Sequence, residues 1–367
     1  MTEKKYIDYY PNRVAKINNF IRHLKDKERF NDYCNGKNEY FYKDEGNYGW
    51  TKNNKHFTYD QRLEREYLWN DFGLWTTWQN TGRNIFDFSE GILEMLKDTD
   101  VSDIDLEQIK LPYPNFYIDI SKANIPFANG FPPTIEGVYI SEEINDDIDD
   151  DVTYEKVISF NFTGNYIEHF KHINDNLYNH VRGFHSYSLY LDRPYNLLNV
   201  GDAVKDAKNM FVDVDTWEDQ DADTKIDLYK IHSEFIERTV KLIINCLLYL
   251  SLKDKDVTEK YTIDLPIHLK TKLEKANTKR RKEVANNEIK NFGFSKIKLV
   301  GLSTFPSNKY DRNTGEVSPH WRRGHWRNQK FGENLSQSKL VWIMPTIVNK
   351  EKGAPTKGHL YSVDKNN

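Results

Sequence analysis

The chain has 367 residues, of which 38% are hydrophobic, 29% charged and 14% aromatic, and its formal net charge is -4. That balance excludes a chain that binds nucleic acid along its whole length, and the 23 Tyr and 20 Phe exclude the profile of a disordered polypeptide despite a mean hydropathy of -0.80. Only Cys34 and Cys246 are present, so a disulfide framework is not expected and a reducing cytoplasm fits. The opening Met1 to Tyr6 shows no apolar signal, and the apolar run Leu242 to Leu252 is too short to span a bilayer, so no membrane partner is expected.

Residues 1–100 read as a mostly helical N-terminal region. Val14, Ile17, Ile21 and Leu24 fall at helical spacing, and Asp60 through Trp78 carries the stripe Leu63, Tyr67, Phe72, Trp75 and Trp78. Gly82-Arg83-Asn84 interrupts the pattern, and Ile85 to Leu96 reads as its resumption. Residues 101–265 read as an α+β core. Asn115 to Ile120, Gly137 to Ile140, Tyr154 to Phe162 and Ser186 to Leu191 form an expected antiparallel group. Within it, the acidic stretch 142–151 predicts a solvated loop, because carboxylates at that density repel one another. The bending glycine and closing glutamate of an EF-hand calcium loop are absent from it. Leu228 to Leu252 predicts a long buried helix.

Residues 266–367 read as a basic linker followed by a C-terminal β region. The linker holds Lys270, Lys272, Lys275, Lys279, Arg280, Arg281 and Lys282, with two readings: a solvated linker or exposed helix, or a contact for RNA or phosphate. Lys296 to Leu302 and Leu340 to Val348 predict strands, with Pro345 marking an edge or an end of the second. The tail after Glu351 reads as loose. The expected fold class is thus α+β: a helical N-terminal part, central antiparallel strands, one long buried helix, and C-terminal strands flanking a basic loop.

That loop, Ser318 to Lys330, concentrates the chemistry, with Pro319-His320-Trp321-Arg322-Arg323-Gly324-His325-Trp326 at its centre. Four readings compete. Arg322, Arg323 and Arg327 offer bidentate donors to an anion, and the Trp rings offer stacking faces. Alternatively, His320 and His325 act as general base and acid on RNA, with Arg322 or Arg323 steadying the phosphate. A metal site has too few ligands, and no cofactor is expected. The last reading is architectural, with the Trp rings in the core and Gly324 allowing a tight turn.

The motif at 319–326, with Trp342 and the Pro345 to Asn349 ending, resembles the C-terminal signature of the type V-A anti-CRISPR family and its mobile-element relatives. Trp78-Gln79-Asn80-Thr81 is similar to the family's Trp-Arg-Asn-Thr helix, with Gln79 in place of Arg. Leu111-Pro112, followed by Tyr117-Ile118-Asp119-Ile120-Ser121 and Ala123, is similar to its central strand. The resemblance covers islands between about residues 70 and 350. It implies a protein that recognises the N-terminal peptide of a type V CRISPR nuclease as it is made, with loss of the nuclease's mRNA. The implied partners are that nascent peptide, or one of another host defence protein, with mRNA or the ribosome. On this reading His320, Arg322, Arg323, Gly324, His325, Trp326, Arg327 and Trp342 form a binding patch, and Tyr117 to Ser121 with Trp75 and Trp78 help build the peptide site. The alternative is a metal-independent endoribonuclease.

Overall fold

The computed structural model describes residues 4–35, 40–44, 47–52, 55–126, 135–143, 157–164, 186–190, 199–210, 222–306, 320–322, 324–344, 346–348 and 361–363. The chain forms two compact units. The first joins residues 1–83 to 261–295, and the second joins 84–260 to 296–367.

The first unit opens with α1 (Tyr10–Ile17), α2 (Phe20–His23) and α3 (Lys27–Cys34). Strands β1 (Tyr40–Asp44), β2 (Asn47–Lys52) and β3 (Lys55–Thr58) form an antiparallel sheet and lead into α4 (Tyr59–Asn80). Its core is aromatic. Phe20 meets Phe72 and Trp75 at ring distances of 5.3 and 5.5 Å, and Phe30 meets Phe72 at 4.9 Å. The single stripe expected from Val14 to Leu24 does not form. Asn19 takes a left-handed φ of 53°, which ends one helix and restarts the next out of phase. As a result Phe20 is buried, while Ile17 and Ile21 are exposed.

Two further helices complete this unit, α8 (Ile267–Glu274) and α9 (Lys279–Asn291). Leu265, Leu269 and Ile289 form their own small core. The N-terminus is tied to this segment: the Tyr6 amide donates to Asp264 at 2.8 Å, and its hydroxyl lies 3.1 Å from Ser295 Oγ.

The second unit is built on a seven-stranded sheet in the order β8-β7-β6-β5-β4-β10-β9. The strands are β4 (Ile85–Phe88), β5 (Asn115–Asp119), β6 (Ile135–Glu143), β7 (Val157–Gly164), β8 (Ser186–Tyr190), β9 (Val257–Lys260) and β10 (Ile297–Val300). The expected antiparallel group is present as β5 through β8. The sheet as a whole is mixed, because β4 pairs in parallel with both β5 and β10. Here the sequence reading needs correction: Ile85 to Phe88 is a strand and not helix. Gly82 and Arg83 turn the chain out of α4 with positive φ, and all four strand residues are buried. A short apolar run buried on both faces has no alternation to distinguish it from helix. Helix α5 (Glu90–Lys97) then starts at Ser89, whose hydroxyl accepts from the Ile92 amide.

The buried helix is α7 (Ala222–Ser251); it packs with α5 and with α6 (Val200–Met210). On the sheet, Phe116, Ile118 and Ile120 join its core, and the alternate face carries Tyr117 and Tyr139. Gly137 is needed there, since a Cβ at that position would sit 2.2 Å from the Tyr117 hydroxyl. Glu142 and Glu143 end β6, and the rest of the acidic stretch lies outside the described residues. Part of the expected loose tail is a strand: β16 (Tyr361–Val363) pairs with β11 (Thr304–Pro306). No described helix is long and apolar enough to cross a membrane.

Candidate functional site

The basic loop is a pair of short strands. In β12 (His320–Arg322), His320, Trp321 and Arg322 oppose Val348, Ile347 and Thr346 of β15 (Thr346–Val348). β13 (His325–Phe331) forms a seven-residue hairpin ladder with β14 (Gln337–Ile343). Pro345, where an edge or an end of the second strand was expected, lies outside the described residues.

The β13–β14 ribbon is fixed to the core by two indoles. Trp326 and Trp342 are directly opposed across the ladder, with rings stacked at 6.0 Å. Trp326 is only 8% exposed. Its Nε1–H donates to Asn245 Oδ1 at 2.7 Å, on the buried face of α7. The same amide donates to the carbonyls of Thr99, at 2.9 Å, and Lys241, at 3.1 Å. The Trp342 Nε1–H donates to Thr99 Oγ1 at 3.4 Å, and that hydroxyl donates to the Met95 carbonyl at 2.8 Å. Tyr249 meets Trp342 edge to face at 5.6 Å. One amide thus closes a network joining the ribbon, α7 and the end of α5. A buried network with every member partnered fixes one geometry, because any other leaves polar groups unpaired in the core.

Strand alternation divides the ribbon into two faces. Trp326, Leu340 and Trp342 face inward; Asn328 shares their side of the ladder but is exposed, and Gln108 Nε2 donates to its Oδ1 at 2.9 Å. His325, Arg327 and Gln329 occupy the other face. His325 is half-buried and bridges Asp100 through the backbone; Arg327 is exposed, with its guanidinium 3.3 Å from Gln329 Oε1. Beside His325, the Ser102 amide and hydroxyl donate to Asp100 and hold its carboxyl below the usual range.

Of the residues expected to form the patch, Gly324 and Trp326 are buried, Trp342 and His325 half-buried, and Arg327 open to solvent. His320 and Arg322 are placed by their backbone pairing. Arg323 and the His320 side chain lie outside the described residues, as does the base-and-acid geometry built on them. Trp75, Trp78 and Tyr117 are buried, and the five residues of β5 are buried throughout, so these positions serve as core. Among the described residues, no group of three or more His, Cys, Asp or Glu is placed to hold a metal ion.

Asn245 and Thr99 were not singled out in the sequence. The signal was there for Asn245, a lone amide inside the apolar run Ile243-Ile244-Asn245-Cys246-Leu247. A polar side chain in such a run needs a partner brought by the fold.

No curated protein matches the sequence. A crystal structure of AcrVA2 is similar over 92% of this chain and 97% of that one, at 15% identity and a TM-score of 0.42. The AcrVA2-like family, described as the anti-CRISPR type V subtype A2 family, matches residues 86–350. That match takes in the sheet, α7 and the whole pinned ribbon, and the chain belongs to this anti-CRISPR family.

Proposed function

We propose that this protein suppresses production of a type V CRISPR nuclease by recognising the nuclease's nascent N-terminal peptide, with loss of the encoding mRNA. It acts in the cytoplasm of the host cell, where the nuclease is translated. The observation that carries the reading is the family match over residues 86–350, which contains the His/Arg/Trp motif entire. The geometry adds a division of labour within the motif. Trp326 and Trp342 hold the ribbon, and His325 and Arg327 stand on its outer face, with His320, Arg322 and Arg323 close by in sequence. A cationic face on a rigid two-stranded support is suited to an anionic or carbonyl-rich partner, since its donors need no reordering on binding.

The test is the double substitution Arg323→Ala with His325→Ala. The expected result is an unchanged melting temperature of the purified protein together with restored nuclease protein and mRNA in cells. Unmutated protein that leaves both levels untouched sinks the proposal. RNA cleavage by the purified protein in EDTA, abolished by His325→Ala, would replace it with the endoribonuclease reading.

A further inference from the structure

The basic segment at 270–282 is largely helical. It is the end of α8, a tight turn, and the start of α9, and these frame an open cleft of about 590 Å³. Lys272, Lys275, Arg280 and Arg281 line it, over a floor that includes Ala276 and Val284. Lys272 is paired with Glu288, and the Arg281 guanidinium donates to Asn277 at 3.2 Å. Among the described residues, Lys275, Lys279, Arg280 and Lys282 have no acidic or hydrogen-bonding side-chain partner, and all four are exposed. The α9 N-terminus opens at the same place. Thr278 Oγ1 accepts from the Arg281 amide, which leaves the amides of Lys279 and Arg280 without an intrahelical acceptor.

We propose that this cleft binds the phosphate backbone of single-stranded RNA. Unpaired cations, two adjacent guanidinium groups and free helix-terminal amides are donors matched to phosphate oxygens. Crowding so many cations with so few carboxylates costs self-repulsion that a bound polyanion relieves. An acidic peptide is the weaker fit, because two helices present no strand edge to take up an extended main chain. Among the described residues that line the cleft there is no aromatic ring to stack a base, so binding is independent of sequence. The choice of RNA as the polyanion rests on the proposed action at a message under translation.

The experiment is a fluorescence-anisotropy titration of the purified full chain with a labelled oligouridine over a series of salt concentrations. It contains no nuclease and no ribosome, so it succeeds or fails independently of suppression in cells. The variant is Lys275→Ala/Arg280→Ala/Arg281→Ala, with melting measured alongside; a Lys275→Ala/Lys279→Ala pair serves if the triple variant unfolds. Affinity should fall roughly ten- to one-hundred-fold in the triple variant. Its slope of log affinity against log salt should shallow by about 2, at about 0.7 for each lost phosphate contact. Equal binding of single-stranded DNA supports recognition of the backbone. Three outcomes overturn the proposal: no RNA binding by the unmutated chain at low salt, unchanged affinity in a folded variant, or tighter capture of polyglutamate than of RNA at this cleft.

Discussion

Two basic stretches of this molecule have opposite structural fates. Between Lys270 and Lys282 most of the cations are exposed on helices, and among the described residues most have no side-chain partner. In the C-terminal ribbon, Arg and His alternate with tryptophan, and the indoles are drawn into the core with a complete set of hydrogen bonds. What separates the two is the interleaved aromatic. A buried indole removes a large apolar area from water and brings an N–H that must find an acceptor, so it fixes the strand that carries it. The two lysine-rich helices carry no such residue among their cations and are held by a small aliphatic core that includes Leu265, Leu269 and Ile289. The same charge therefore rests on a rigid support in one region and on a solvent-facing surface in the other.

The contrast breaks first at Trp326. Replacing it with alanine should cost about 3–5 kcal/mol in a urea titration, the usual range for removing a buried Trp. A neutral result would show that the ribbon is not pinned. Asn245→Leu comes next. It keeps the branched outline of the side chain but strands the indole N–H and the Thr99 carbonyl, and should cost about 2–3 kcal/mol. Combined with Trp326→Phe, the loss should be clearly less than additive, because both substitutions break the same hydrogen bond.

This network marks the limit of what the sequence revealed. The long helix and the strands β5 through β8 were legible, because period and length are local signals. Which polar residue in α7 meets which tryptophan was not. The Asn245 to Trp326 contact spans 81 positions and depends on how the sheet is ordered. β4 was misread for a related reason, since burial on both faces erases the alternation that identifies a strand. Ile17 and Ile21 misled in the opposite direction: their spacing is helical, but Asn19 breaks the phase between them. The motif itself was visible as a cluster, and the division between its anchoring and solvent-facing members became visible only with the ladder.

The first unit carries its own weak point, of intermediate size. Burial pushes the Asp71 carboxyl up to about 6, although the Tyr10 hydroxyl donates to it at 3.1 Å. A raised carboxyl holds its proton longer in the folded than in the unfolded chain, so the folded state binds more protons between about pH 4 and 6. Stability should therefore fall as pH rises through that window and level off above it. Asp71→Asn should flatten the fall and add about 1–2 kcal/mol at pH 7, read from melting against pH. A variant that keeps the fall would place its origin in another group.

The smallest stability effect is expected where the ribbon faces solvent. Arg327 is exposed and its described contact is a 3.3 Å approach to Gln329 two residues on, so Arg327→Ala should change stability by no more than about 0.5 kcal/mol. Its neighbour Trp326 differs by one position and by several kcal/mol, because strand alternation sends one side chain into the core and the other to water. If the outer face is the part that meets a partner, Arg327→Ala should weaken nuclease suppression in cells with melting unchanged. Trp326→Phe should do the reverse, lowering the melting temperature while the folded fraction still suppresses. Loss of suppression in proportion to lost stability in both variants would show instead that the ribbon acts only through the abundance of folded protein, and would remove the outer face from the functional account.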